Sequence, residues 1–241
     1  MTRSLRYAIF LLLAFVTLAP CARGGVGEWR TFTTKREIRA VAHAGSMVWA
    51  ATSGGLFSYD ASTGVYGEYA TAEGLKTIDI TAVAIAPDGD IWIGAASGVI
   101  QRLTPSTGAW RTITDIAILE SAQKRINTLA LSGDTLFILS EIGLSLYSVS
   151  REEFGGTYAR FGIPPAQISG GVTSMAYAGG RLWVGTHLGA ASTSVTNPNP
   201  SSPDSWQVYR TAEGLPSAAV NALAIAPGGE LCAATGGGLA V

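Results

Sequence analysis

Five copies of one pattern run through the chain, and they constrain its fold more than any other feature. Ile38-Arg-Ala-Val-Ala-His43 recurs as Ile80-Thr-Ala-Val-Ala-Ile85, Ile126-Asn-Thr-Leu-Ala-Leu131, Val172-Thr-Ser-Met-Ala-Tyr177 and Val220-Asn-Ala-Leu-Ala-Ile225. Each copy is followed by a turn and a second apolar run. That run carries Trp49, Trp92, Phe137, Trp183 or Cys232 at one matched position. Six residues later comes Gly55, Gly98, Gly143, Gly189 or Gly238. The copies are spaced by 43, 45, 46 and 49 residues. A unit of this size cannot bury its apolar face alone, so neighbouring copies must stack.

Each unit reads as four strands. Strand A is the Ile-x-Ala-Val-Ala run. A glycine turn such as Asp88-Gly89 is a hairpin signal. Strand B carries the aromatic position, and strand C starts after the matched glycine, as in Leu56-Phe-Ser-Tyr59. A Thr-Gly turn (Thr63-Gly64, Thr107-Gly108) leads to strand D at Tyr66–Tyr69, Trp110 and Trp206–Tyr209. Four short strands per roughly 40–50 residues is the period of a β-propeller blade. The predicted fold is therefore all-β, a propeller of four-stranded antiparallel blades, with repeats near 38–69, 80–111, 126–161, 172–209 and 220–241.

Alternation along strand A says how the units stack. Residues i and i+2 share a face. One face carries Val41, Val83, Leu129, Met175 and Leu223, with His43, Ile85, Leu131, Tyr177 and Ile225 beside them. The other carries Ala40, Ala82, Thr128, Ser174 and Ala222, then Ala42, Ala84, Ala130, Ala176 and Ala224. The large face of one unit is expected to fill the small face of the next. The aromatics of strand B recur in successive units, so they read as inter-blade packing rather than a stacking platform. His43, at the Ile85 position, reads as a core residue.

Composition narrows the function classes. Charged residues are 14% and apolar residues 47% of the chain, which excludes a disordered segment. The net charge of −1, with no basic run, argues against binding nucleic acid or anionic lipid.

The N-terminus reads as an address. Arg3 and Arg6 precede an apolar run from Tyr7 to Ala19. That run is too short for the ~20 residues a bilayer core needs, so residues 1–24 are predicted to be a signal peptide cut after Gly24. Its loss removes Arg3, Arg6 and Arg23 from the 16 basic residues, leaving 13 against 17 acidic ones. Leu18-Ala19-Pro20-Cys21 resembles a bacterial lipobox, with Pro20 where Gly, Ala or Ser is expected. Cys21 is thus a candidate lipidation site. Beyond the leader only Cys232 remains, so no internal disulfide is predicted. The expected location is the periplasm or the outside, with membrane attachment only through the leader or a lipid anchor.

Ala86-Pro-Asp-Gly-Asp-Ile-Trp-Ile-Gly94 with Ser97-Gly98-Val99 resembles the two-component-regulator propeller repeat. Arg181-Leu-Trp-Val-Gly-Thr186 and Met47-Val-Trp-Ala-Ala-Thr52 match the same pattern. Tyr69-Ala-Thr-Ala-Glu-Gly-Leu75 and Tyr209-Arg-Thr-Ala-Glu-Gly-Leu215 match the segment that often joins blades. The third repeat departs, with Phe137 and Leu139 where Trp and Gly belong. The resemblance implies seven-bladed propellers, often the periplasmic sensor half of hybrid histidine kinases and sometimes free-standing secreted proteins. No kinase motif occurs in this chain, so transmitter activity does not carry over. Glu28-Trp29-Arg-Thr-Phe32 reads as a lone strand D, and Gly238–Val241 as a short strand C. The expectation is a larger ring truncated at its C-terminus. A closed five-bladed ring, with the first strand completing the last blade, is the alternative topology.

No catalytic constellation emerges. No Gly-x-Ser-x-Gly elbow supports a nucleophile, and His43 and His187 do not make a zinc set. Gly236-Gly-Gly238 is not followed by a helix, as a phosphate cradle requires. Asp88-Gly89-Asp90 reads as a turn rather than a calcium loop. Neither cofactor nor metal is expected. In propellers the D–A and B–C loops emerge on one face, which here carries Thr52, Ser53, Glu73, Lys76, Asp79, Ser97, Lys124, Arg125, Glu141, His187 and Glu213. Of these, Thr52, Ser53, Glu73, Ser97, Glu141, His187 and Glu213 are the candidate ligand-binding residues. The D–A segment from Thr112 to Arg125 is the longest, with room for a helical turn. The expected function is an exported, non-enzymatic sensor or binding module. Its partner would be a small ligand, glycans included, or an envelope protein. The alternatives are a propeller lyase or hydrolase, or a scaffold in envelope secretion or surface assembly.

Overall fold

The structure is a computed structural model and describes residues 36–196 and 199–241. The leader, Cys21 and the Glu28–Phe32 segment lie outside the described residues. The described residues form antiparallel β-sheet throughout, with no α-helix.

The first sheet runs β1 (Ile38–Ala44), β2 (Met47–Thr52), β3 (Gly55–Asp60) and β4 (Val65–Tyr69). The second runs β5 (Ile80–Ile85), β6 (Ile91–Ala95), β7 (Ile100–Thr104) and β8 (Ala109–Ile113). The third runs β9 (Ile126–Ser132), β10 (Thr135–Ser140), β11 (Gly143–Ser148) and β12 (Glu153–Tyr158). A ribbon of β13 (Arg160–Phe161) and β14 (Ile168–Ser169) follows. The fourth sheet runs β15 (Val172–Ala178), β16 (Arg181–Thr186), β17 (Gly189–Ser194) and β18 (Gln207–Tyr209). The fifth has three strands, β19 (Val220–Ile225), β20 (Leu231–Thr235) and β21 (Gly238–Ala240). In each large sheet the strands pair in sequence order.

Local chemistry explains the hairpins. Ala86 and Asp90 close the β5–β6 turn, the Ala86 N–H donating to the Asp90 carbonyl at 2.8 Å. Gly89 takes φ +91° there, a conformation that costs other residues but not glycine. The Thr112–Arg125 segment holds one helical turn, in which the Ile118 N–H donates to the Thr114 carbonyl at 3.0 Å. Ile116 plugs that segment into the core at 1% exposure.

The core lies in the seams between consecutive sheets, large face on small face. Ala40, Ala42, Trp49 and Ala51 of the first sheet meet Val83, Ile85, Ile91 and Ile93 of the second. Ala82, Ala84 and Trp92 meet Leu129, Leu131, Leu136 and Ile138 of the third. Ala130, Phe137 and Leu139 meet Met175, Leu182 and Val184 of the fourth. Trp49, Trp92 and Phe137 are buried, whereas Trp183, beside the three-stranded fifth sheet, is only half-buried.

The ribbon β13–β14 is an element the repeat pattern did not predict. It fills the third seam with Phe161, whose ring meets Trp206 edge-on at 4.8 Å. His43 is a correction: it is exposed rather than part of the core. It lies on the large face of the first sheet, with no described sheet packed over it. Val41 on that face is 58% exposed. No helix among the described residues is long and apolar enough to cross a membrane.

Candidate functional site

Every strand A starts with an irregularity. The register shifts between Ile38 and Ala40, Ile80 and Ala82, Val172 and Ser174, and Val220 and Ala222, and β9 shifts likewise between Ile126 and Thr128. A bulge leaves one residue out of the ladder and re-aims its side chain. The bulged residues are Arg39, Thr81, Asn127, Thr173 and Asn221. Four of them reach the next sheet. Thr81 Oγ1 donates to the Ile126 carbonyl at 2.6 Å, Asn127 Nδ2 to the Val172 carbonyl at 3.1 Å, and Thr173 Oγ1 to the Val220 carbonyl at 2.7 Å. Arg39 instead donates to the Asp79 carboxylate, one residue ahead of β5.

The same rim is fastened within four of the five sheets. The B–C turn donates a backbone N–H to the residue just ahead of strand A. These bonds are Ser53 to Glu37 at 3.2 Å, Ala96 to Asp79 at 3.0 Å, Glu141 to Arg125 at 3.0 Å, and Gly236 to Ala219 at 3.1 Å. The two loop classes thus share one end of each sheet.

Three of the seven candidate residues hold their own loops. Thr52 is buried; its hydroxyl donates to the Gly55 carbonyl at 2.8 Å and accepts from the Gly54 N–H at 3.1 Å. Thr186 and Thr235 make the same clamp to Gly189 and Gly238. Glu73 accepts the Ala70 N–H at 2.9 Å across the 3-10 turn Thr71–Glu73. Glu213 accepts the Arg210 N–H at 2.8 Å across Thr211–Glu213. The other four are differently placed. Ser97 and His187 are exposed, and Ser53 and Glu141 are half-buried. Glu141 lies against Gly171, where a methyl group would come within 2.6 Å of Oε2. Lys124 Nζ donates to the Ala117 carbonyl at 2.7 Å, bracing the 112–125 segment. Gln101, 1% exposed, ties the Gly74–Lys76 stretch to β7. It donates to the Gly74 carbonyl at 3.1 Å and accepts the Lys76 N–H at 2.8 Å.

Arg39 is the rim group that sequence reasoning missed. Its guanidinium pairs with Glu37 at 3.3 Å and with Asp79. The hydrogen bond that it donates to Glu37 raises its pKa most. Burial opposes that rise, and the Asp79 charge adds to it. The signal was its bulge position, which the strict strand alternation concealed.

The opposite rim carries most of the engaged carboxylates. Asp60 accepts the Ser62 N–H and hydroxyl and the Thr63 hydroxyl at 2.9, 2.7 and 2.9 Å. These bonds, the Ser62 hydroxyl foremost, hold its pKa well below the usual carboxylate range. Asp134 accepts from Ser148 and Ser150 and is lowered in the same way. Asp90 accepts the Thr104 hydroxyl at 3.1 Å and lies 3.4 Å from Arg102. These contacts brace the β5–β6 turn against β7. Among the described residues no group of three or more His, Cys, Asp or Glu could hold a metal.

A cavity of about 280 Å³ opens between the fourth and fifth sheets, lined by Trp183, Tyr209, Glu213, Gly214, Leu231 and Ala233 among others. It lies beside Gly214, whose counterpart Gly74 in the first seam is packed against Trp110 of the second sheet.

No protein-family model matches the sequence, and no curated protein matches it significantly. Solved structures do resemble it. The extracellular domain of BT4673 from B. thetaiotaomicron, assigned as a hybrid two-component system, superposes with a TM-score of 0.67 at 20% identity. It covers 88% of this chain and 28% of that one. The extracellular domain of BT3049 from the same organism, also assigned as a hybrid two-component system, gives 0.68 at 16% identity, covering 89% and 29%. PorZ, a surface component of the type-IX secretion system of Porphyromonas gingivalis, gives 0.70 at 20% identity, covering 87% and 27%. The chain spans less than a third of the length of each. At these identities the likeness shows the fold: antiparallel four-stranded sheets in a propeller-like arrangement.

Proposed function

We propose that this chain is the propeller part of an exported, non-enzymatic sensor or binding protein, its sheets being blades and its ligand lying on the strand-A rim. The observation that carries this reading is the double fastening of that rim. Backbone bonds tie four of the five B–C turns to their strand-A entries, and the bulge side chains of the first four sheets reach toward the next sheet. Binding groups usually sit on loops held by a rigid scaffold. Thr52, Glu73 and Glu213 hold the loops, while Ser53, Ser97, Glu141 and His187 supply groups to a ligand. The ligand is a small polar molecule, with glycans the first class to test. Isothermal titration of the purified protein against an oligosaccharide panel tests it. A Glu141→Ala/His187→Ala variant is expected to lose affinity by on the order of tenfold or more with unchanged unfolding. Intact affinity in that variant would overturn the rim assignment.

The likeness to PorZ supports a second reading, a scaffold in surface assembly. It predicts that the same variant loses a defined envelope protein in a pull-down while no oligosaccharide binds. Export itself rests on residues 1–24. Fractionation and the mass of the mature N-terminus separate cleavage after Gly24 from lipidation at Cys21.

A further inference from the structure

The C–D turns of the first three sheets share one length. Four residues follow Asp60, Thr104 and Ser148, and the fourth is left-handed: Gly64 at φ +72°, Gly108 at +69° and Glu152 at +56°. Among the described residues Glu152 is the one non-glycine residue at positive φ, and its Cβ makes that conformation costly. Its carboxylate reaches back to the second sheet, 2.7 Å from Arg111 and 3.6 Å from Arg102. Those two arginines face each other in the β7–β8 ladder, in one row with Trp92. Like charges directly opposite one another repel. The matching rows carry Ser58 and Gly67 in the first sheet, and Ser192 and Gln207 in the fourth. Asp90 lies 3.4 Å from Arg102 and offsets one of the two charges; Glu152 offsets the other. The Arg102 guanidinium sits over the Trp92 ring, 5.6 Å from its centre, and Tyr147 of the third sheet meets the same ring edge-on at 5.8 Å.

We propose that Glu152, Arg102 and Arg111 form a latch that fastens the outer edges of the second and third sheets and loosens as salt rises. The inner part of this seam is apolar, with Ala82, Ala84 and Trp92 against Leu129, Leu131, Leu136 and Ile138. Burial of that kind carries no charge for salt to screen. Arg111 and Glu152 are exposed and Arg102 is half-buried, so dissolved ions screen their attraction. The two arginines are what make a glutamate tenable where the first two sheets use glycine, which holds the same turn without steric cost. When the attraction is screened, the left-handed backbone at Glu152 and the repulsion between Arg102 and Arg111 both act to part the edges. The opening is local: it loosens β8 and β12 and uncovers the Trp92–Tyr147 pair while the inner seam holds.

Amide hydrogen exchange of the full chain tests the latch. Between low salt and about 1 M sodium chloride, where the screening length falls to ~3 Å, exchange in β8 and β12 is expected to quicken by roughly fivefold, the scale of an ion pair of this exposure. Exchange in β5, β6, β9 and β10 should hold. Glu152→Gln, equal in shape but uncharged, should show the fast rates already at low salt and lose the salt dependence. A second pair of variants separates the latch from the turn itself. Glu152→Gly should quicken exchange in β12 of the otherwise wild-type chain, but not in a chain that already carries Arg102→Gln and Arg111→Gln. Circular dichroism of each variant checks that the sheets remain folded. Salt dependence that survives in Glu152→Gln would overturn the proposal, as would a rise spread evenly over all the sheets. Equal acceleration by Glu152→Gly with and without the arginines would do the same, because the glutamate would then act through its turn alone.

Discussion

The second and fifth repeats begin with nearly the same words and end in different surroundings. Tyr69-Ala-Thr-Ala-Glu-Gly-Leu75 and Tyr209-Arg-Thr-Ala-Glu-Gly-Leu215 fold into the same 3-10 turn, each with its glutamate capping and its glycine at φ +108°. Yet a methyl group on Gly74 would lie 2.4 Å from Trp110 Cδ1, whereas nothing lies within 4 Å of the same position on Gly214. Trp110 belongs to β8, the fourth strand of the second sheet, and the fifth sheet has three described strands. Local sequence makes the turn, while a strand some 35 residues later decides whether the turn is packed. The same contrast appears in the aromatics: Trp92 is 1% exposed beside Tyr147, and Trp183 is half-buried beside the cavity.

The largest expected effect separates those two tryptophans. Trp92→Ala should cost about 3–5 kcal/mol, the usual range for a buried large aromatic that leaves a cavity behind. Trp183→Ala should cost about 1–2 kcal/mol, since a half-buried ring gives up less transfer free energy and already borders open space. Urea denaturation of both variants measures the difference, and equal losses would break the comparison.

Next come the paired glycines. Gly214→Ala carries only the conformational cost of a left-handed residue, roughly 1–2 kcal/mol. Gly74→Ala adds the clash with Trp110, a further ~1–3 kcal/mol of overpacking. Thermal unfolding of the two variants side by side reads that excess.

Smaller again is the bulge pair. Thr81 is 3% exposed and bonds the Ile126 and Gly94 carbonyls. Thr81→Val should therefore cost about 1–2 kcal/mol through lost and unsatisfied hydrogen bonds. Asn221→Ala in dilute solution should stay within about 0.5 kcal/mol, as surface changes usually do. A comparable loss in both would mean that Asn221 is already engaged within its own chain.

The smallest effect concerns acid. The Asp60 carboxylate is held below its ordinary pKa by Ser62 and Thr63. A group depressed in the folded state adds stability above its unfolded pKa of about 3.9, and that stability fades as pH falls through the folded value. Asp60→Asn should therefore lower stability at neutral pH and flatten its decline in acid. An unchanged acid limb in the variant would show that Asp134 and the remaining carboxylates set it.

Sequence periodicity reached far into this fold. The alternation Val83/Ala84 and the matched glycines gave sheet, strand order and seam polarity, because period-two patterning and positive-φ glycines act over a few residues. The candidate rim was less open to that reading. Thr52, Glu73 and Glu213 read from the sequence as loop-face polars; in the fold their side chains bond backbone two or three residues away, a competition that composition does not reveal. Arg39 sits at a one-residue bulge, which breaks the period-two alternation of strand A and re-aims its side chain.

What the amino-acid sequence determined alone is therefore everything with a short range: the hairpins, the 3-10 turns, and which face of each strand is large or small. The tertiary structure decided which of those faces is covered. His43 shares the position of Ile85 and Leu131 yet is exposed. Trp183 shares that of Trp92 yet borders a cavity. Burial in a stacked-sheet fold is a property of two neighbouring repeats, and a residue's own repeat specifies only one of them.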